Sequence, residues 1–108
     1  ANSAFYGFRA QVDTITRAAN ILGMQKIHDL ALAASVCREP LKSQARALAE
    51  RYWLMQEKVD QLYTPTERSK WRNDANNLRV TAARIGASTE MFRLTGERRY
   101  ADDAVKQQ

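Results

Sequence analysis

The residues of this chain that could do chemistry are few and far apart. His28 is the only histidine and Cys37 the only cysteine among 108 residues. A helical metal pair would need a second ligand three or four residues from His28, and those positions hold apolar or amide side chains. Nine helical residues at about 100° each put Cys37 on the opposite face, so a Cys–His nucleophilic pair is not expected. We predict a surface or edge histidine, a small apolar core cysteine, and neither metal nor cofactor.

Carboxylates could support hydrolytic chemistry only if separate helices bring them together. Asp102 and Asp103 form the adjacent acidic pair of the chain, but neighbouring side chains on a helix diverge by about 100°. The sequence therefore predicts that both are solvated charges. Glu50 or Glu57 could meet Glu90 across two helices. A small hydrolase built on such a pair ranks third among our interpretations, and we lean against an enzyme.

An arginine stripe in the second half of the chain is the most suggestive surface feature. Arg68, Arg72 and Arg79 fall within about 40° of one another on a helical wheel, and Asn76 lies beside them. Guanidinium groups bind carboxylates and phosphates with two parallel hydrogen bonds. The competing interpretation is a solvated face whose arginine stems cover apolar core. Two N-terminal aromatic residues could add an apolar anchor. The predicted partner-binding residues are Arg68, Arg72, Asn76, Arg79, Phe5 and Tyr6.

Composition and charge are those of one basic globular domain. The hydrophobic fraction is 44%, the charged fraction 27%, and the net charge +5. We predict a single domain over residues 1–108. The sequence has no run of about 18 apolar residues, which is the length that a transmembrane helix requires. The chain starts at Ala1 without a methionine, and we favour a processed periplasmic or secreted protein over a cytoplasmic one.

The elements that must position these residues are long helices, because Gly and Pro number only 4 and 2. The clearest pattern is a heptad seam with apolar residues alternately four and three positions apart. It also fits an oligomer contact. Its members are Leu41, Ala45, Leu48, Tyr52, Met55, Val59 and Leu62.

The other helices show similar stripes. The first helix carries two stripes. The earlier one ends at Leu22, and the later one consists of Ile27, Leu30, Ala34 and Cys37. Gly23 lies between the two stripes and either bends the helix or ends it. Thr64-Pro65-Thr66-Glu67 has the residues of a helix-starting capping box, and Gly96 suits a helix end. The third helix carries a stripe of Trp71, Ala75, Leu78, Ala82, Ile85, Thr89 and Phe92. We predict that these stripes, and Met24, Met55 and Met91, form the core.

The predicted fold is an all-α antiparallel bundle with helices over about 4–38, 40–63, 65–95 and 97–106. Bundles host unrelated functions, so the fold does not choose among them. Our preferred interpretation is a non-enzymatic binding or accessory protein that contacts another protein, possibly an acidic one, through its helical surfaces. The alternative is a nucleic-acid-binding protein that uses the arginine stripe. Homo-oligomer formation through the heptad seam is a further interpretation.

Overall fold

The computed structural model describes the backbone over residues 20–61 and 75–107, and the side chains over residues 20–61 and 78–107. This part of the chain is all-α. Helix α1 covers residues 20–36, α2 is Leu41–Asp60, α3 is Ala75–Thr95 and α4 is Arg98–Gln107. Helix α1 is continuous through Gly23 and ends two residues before the predicted position. Several predicted features lie outside the described residues: the capping box at residues 64–67, Leu62, Trp71, and the part of the first stripe before Asn20. Leu22, the last member of that stripe, is 60% exposed, so the prediction that it packs in the core is wrong.

A four-residue turn folds α2 back along α1. Pro40 immediately precedes α2, and the Glu39 side chain accepts a hydrogen bond from the backbone N–H of Ser43 at 2.8 Å. Free N–H groups at a helix start need such an acceptor. One groove holds Leu30 opposite Leu48, whereas Gly23 faces Gln56. Low numbers on α1 thus face high numbers on α2, and the two helices are antiparallel.

Gly96 separates α3 from α4, as predicted. Its φ of +70° lies in the left-handed region, where a side chain is disfavoured. Its N–H donates to the Phe92 carbonyl oxygen at 2.8 Å. The Thr95 hydroxyl then accepts from the Glu97 N–H at 3.1 Å, so the turn satisfies backbone groups at the junction.

The core lies where all four helices meet, and small side chains supply much of it. Trp53 and Tyr100 are the bulky members, and their rings meet edge to face with centroids 5.0 Å apart. The complete buried cluster is Met24, Ile27, Ala31, Ala49, Trp53, Ala87, Met91 and Tyr100. The α1 stripe is confirmed for three of its four members, since Ile27 and Ala34 are buried and Leu30 packs against the cluster. The fourth, Cys37, is only half-buried and does not belong to the buried cluster. No helix among the described residues is long and apolar enough to cross a bilayer.

Two predicted core stripes are wrong for most of their members, although Tyr52 of the α2 stripe packs against the buried cluster. On α2 the buried residues are Ala49 and Trp53, about 100° around the helix from the centre of the heptad seam. On α3 the buried residues Arg84, Ala87, Ser88 and Met91 lie about 140° from the predicted stripe. Helix α2 turns Trp53 and a small alanine inward, and α3 turns inward Ala87 and Met91 with the polar Arg84 and Ser88. The small and ion-paired members of these faces do not form an apolar stripe in the sequence.

Candidate binding surfaces

A buried polar cluster fixes α2, α3 and α4 relative to one another. The Arg84 side chain is only 10% exposed. Its Nε and Nη2 donate to the two carboxylate oxygens of Asp103 at 3.1 and 2.8 Å, and its Nη1 donates to Asp60. The Ser88 hydroxyl oxygen lies 2.7 Å from Asp103 Oδ2. A two-pronged guanidinium–carboxylate pair is rigid, so this cluster sets which faces of α3 and α4 remain outside.

The titration of Asp103 follows from these contacts. Burial alone raises the pKa of the carboxyl, but hydrogen bonds from Arg84 and Ser88, with the Arg84 charge, bring the pKa below its ordinary value. Asp103 is 13% exposed, so the prediction of a solvated charge is wrong for it. Asp102 is 68% exposed and 3.6 Å from Arg98, so the prediction holds there. Because neighbouring side chains on a helix diverge by about 100°, Asp103 points inward and Asp102 points outward.

Aromatic and cationic groups stack beside the cluster. The Arg84 Cζ atom lies 5.6 Å from the centroid of the Trp53 ring, and Arg99 Cζ lies 4.5 Å from that of Tyr100. The Trp53 indole N–H donates to Glu57 at 2.6 Å. Burial raises the pKa of the Tyr100 phenol. The charged and polar atoms of these groups contact one another, so the cluster acts as a structural joint, by which we mean a contact that holds α2, α3 and α4 together.

The outer face of α3 consists of Leu78, Ala82, Ile85, Thr89 and Phe92. Leu78 is 58% exposed and Phe92 41% exposed; Ala82 and Thr89 are also exposed, and Ile85 is half-buried. These residues form one stripe within about 80° of the helix circumference. The apolar stripe predicted for the core therefore lies on the surface of the protein.

A groove of about 510 Å³ runs between α1 and α3 beside this face. Its floor is formed by small residues of α3, and its rim carries Gln25, His28 and Arg79. The His28 side chain is 40% exposed, with Nδ1 3.1 Å from Asp29 Oδ1, which confirms an edge histidine. Arg79 is exposed. The groove could accept an anionic side chain beside an apolar surface.

The α2 seam is the second apolar surface. We use this name for Leu41, Ala45, Leu48, Tyr52, Met55 and Val59. Leu41 is 60% exposed, Leu48 38% and Met55 56%, so the prediction that Met55 packs in the core is wrong, whereas Met24 and Met91 are buried. The other three members are half-buried. The seam thus lies along the edge of the core and is open to solvent.

The predicted partner-binding residues are only partly described. Phe5, Tyr6, Arg68 and Arg72 lie outside the described residues. The backbone of Asn76 is in α3. Arg79 is therefore the one predicted contact whose side chain can be placed, and it lies at the groove.

The other chemical candidates have local contacts. Cys37 is half-buried. Glu50 pairs with Arg46 at 3.1 Å, and Glu90 pairs with Arg93 at 3.3 Å, each within its own helix. No group of three or more histidine, cysteine or acidic residues that could hold a metal occurs within residues 20–61 and 75–107.

The comparison with protein families matches the HDOD domain over residues 1–62. The chain belongs to the HDOD domain family. The HDOD match includes α1 and α2, and therefore the α2 seam. Helices α3 and α4 follow the matched residues. No curated protein and no solved structure matches the chain significantly.

Proposed function

We propose that this chain is a non-enzymatic interaction module that binds another protein through the outer face of α3. The observation that carries the proposal is the direction of the α3 stripe: its large apolar residues point away from the core, with Leu78 58% exposed and Phe92 41% exposed. Contiguous apolar residues on a surface are typical of protein interfaces. Apolar and aromatic anchors dominate the energy of such contacts.

Basic side chains beside this face favour an acidic partner. Arg79 is exposed at the groove. Arg93, in the last turn of α3, is 70% exposed. The proposal extends this polar edge to the basic Arg68 and Arg72 and the neutral Asn76. It gives Phe5 and Tyr6 the role of a further apolar anchor. Charges at the rim of an interface mainly select the partner and speed its association.

Capture from an extract of the source organism tests the proposal. The chain and three variants are used as bait at about 50 and about 200 mM salt, and the bound proteins are quantified by mass spectrometry. The variant Leu78→Gln/Phe92→Gln removes apolar surface from the outer face of α3. The matched control Val105→Gln changes a side chain that is 69% exposed on α4.

The expected result is one protein retained at both salt concentrations by the chain and by Val105→Gln, and lost from the double variant. Arg79→Glu should weaken the same capture. Equal retention by the double variant would remove the outer face of α3 from the contact. Recovery only at low salt, abolished by nuclease, would instead support the nucleic-acid alternative, since phosphate contacts release counterions.

A further inference from the structure

The α2 seam has the geometry of one half of a helix–helix contact. Leu41, Leu48 and Met55 are spaced by seven residues and all are exposed. Seven residues are close to two helical turns, so the three side chains form a straight row about 21 Å long. A second helix that packs lengthwise would cover such a row.

A polar flank that contains two basic residues runs beside this row, and its members have the same seven-residue spacing. Gln44, Arg51 and Lys58 are also seven residues apart, and all three are exposed. They lie about 40–60° from the apolar row, the position from which side chains contact the flank of a packed helix. Neither Arg51 nor Lys58 forms an ion pair within the described residues. The flank therefore offers two positive charges to a partner.

The other side of the seam adds a recess for a partner side chain. A groove of about 340 Å³ lies between α1 and α2 and is lined by Lys26, Asp29, Leu30, Leu48 and Tyr52. The Lys26 Nζ atom is 5.8 Å from the centroid of the Tyr52 ring. Asp29 is the acidic member and lies next to His28. An apolar side chain could enter this recess with a carboxylate near Lys26.

We propose that the α2 seam binds an amphipathic helix of another protein that carries Asp or Glu beside its apolar stripe. This proposal deepens the function proposed above, on which it rests, by adding a second surface and the chemistry of its occupant. A second copy of the chain fits less well. In a two-fold antiparallel pair the same flank of both copies lies together, so Arg51 and Lys58 would meet a flank without acidic residues.

Binding of a designed peptide tests the proposal on the 108-residue chain. The probe is a fluorescent helical peptide of about three heptads, with leucine at the seam positions and glutamate at the flanks. A second peptide has the same seam and lysine at the flanks. Fluorescence anisotropy should show binding of the acidic peptide that weakens as salt is added, and at least about tenfold weaker binding of the basic one.

Two variants and two controls assign the contact. Arg51→Glu/Lys58→Glu should weaken the acidic peptide about tenfold and strengthen the basic peptide. Met55→Gln should weaken both peptides. Lys106→Glu makes one of these charge changes on an exposed α4 residue, and Leu54→Gln changes an adjacent side chain that is 51% exposed but about 100° off the row. Neither control should alter binding. Circular dichroism verifies that all variants are helical.

Several outcomes would overturn the proposal. Equal affinity for the two peptides, or acidic-peptide binding unaffected by Arg51→Glu/Lys58→Glu, would remove the charge argument. A dimer in light scattering that Met55→Gln dissociates would assign the seam to a second copy. Loss of peptide binding in Leu78→Gln/Phe92→Gln, but not in Met55→Gln, would move the site to α3. Failure at α2 with intact capture by the α3 face would overturn this inference and leave the proposed function standing.

Discussion

Replacement of Arg84 by methionine should destabilise the fold strongly. The Arg84 and Asp103 side chains are 10% and 13% exposed, and removal of one member of a buried pair costs about 3–5 kcal/mol. We take the lower end because both groups retain some water contact. The lost contact to Asp60, which is 38% exposed, adds at most about 1 kcal/mol. Methionine retains much of the stem that packs near Trp53. The expected loss is therefore about 3 kcal/mol.

Urea unfolding followed by circular dichroism measures this loss. With a slope of about 1.5 kcal/mol per molar, the unfolding midpoint should fall by about 2 M. The matched control is Arg98→Met, because Arg98 is 91% exposed and its partner Asp102 is 68% exposed. This surface pair should contribute less than about 0.5 kcal/mol. Equal midpoints for Arg84→Met and Arg98→Met would refute the assignment of the cluster as a structural joint.

A second substitution separates the lost attraction from the cost of a stranded charge. In Arg84→Met/Asp103→Leu the buried carboxylate of Asp103 is absent. The Ser88 hydroxyl can still donate to the backbone carbonyl oxygen of residue 84, which lies 2.8 Å away in the native protein. Coupled partners are not additive, so the double variant should recover about half of the loss. A double variant whose loss equals the sum of the two single losses would show that Asp103 does not depend on Arg84.

The pH dependence of Arg84→Met provides an independent sign test. In the native protein the pKa of Asp103 is lowered from 3.8, so its contribution to stability is complete above that value and is lost as the pH falls through the folded pKa. Without Arg84, burial should raise the pKa of this carboxyl. The variant then gains stability from this group on acidification. A deficit that is unchanged between pH 7 and pH 4 would contradict this argument.

Two further expectations concern single residues. Burial raises the pKa of Tyr100 above 10.0, so its contribution is complete below pH 10 and is lost as the pH rises through the folded pKa; urea midpoints between about pH 8 and 11 should fall in the native chain and stay flatter in Tyr100→Phe. Gly96→Ala should cost about 1 kcal/mol because φ is +70° there. Gly86→Ala should stabilise by up to about 1 kcal/mol, since the added Cβ meets only His28 Cδ2 at 3.8 Å. Opposite shifts in melting temperature are expected, and equal shifts would contradict the backbone argument.

Helix number, type and punctuation could be predicted from the sequence because they depend on local chemistry. Pro40 and Gly96 end or start helices through their own backbone restrictions, and the described parts of all four helices lie close to the predicted bounds. Orientation around each helix axis could not be predicted in the same way. The burial of Arg84 could not be predicted, because the sequence does not show that Asp60 and Asp103 meet its guanidinium. Burial of an arginine depends on such partners from other helices.

The α2 seam and the outer face of α3 show why periodicity predicts an apolar face without predicting what covers it. Apolar burial is non-directional, so either face of α2 could meet the core if its side chains fill the space. The inner face does so through Trp53, which meets Tyr100, and through Ala49, which lets the helices approach. Choosing that face leaves the α2 seam exposed with its row of seven-residue spacing intact. The core does not use this row, and Arg51 and Lys58 beside it form no ion pair within the described residues. A contact with another helix best explains both features.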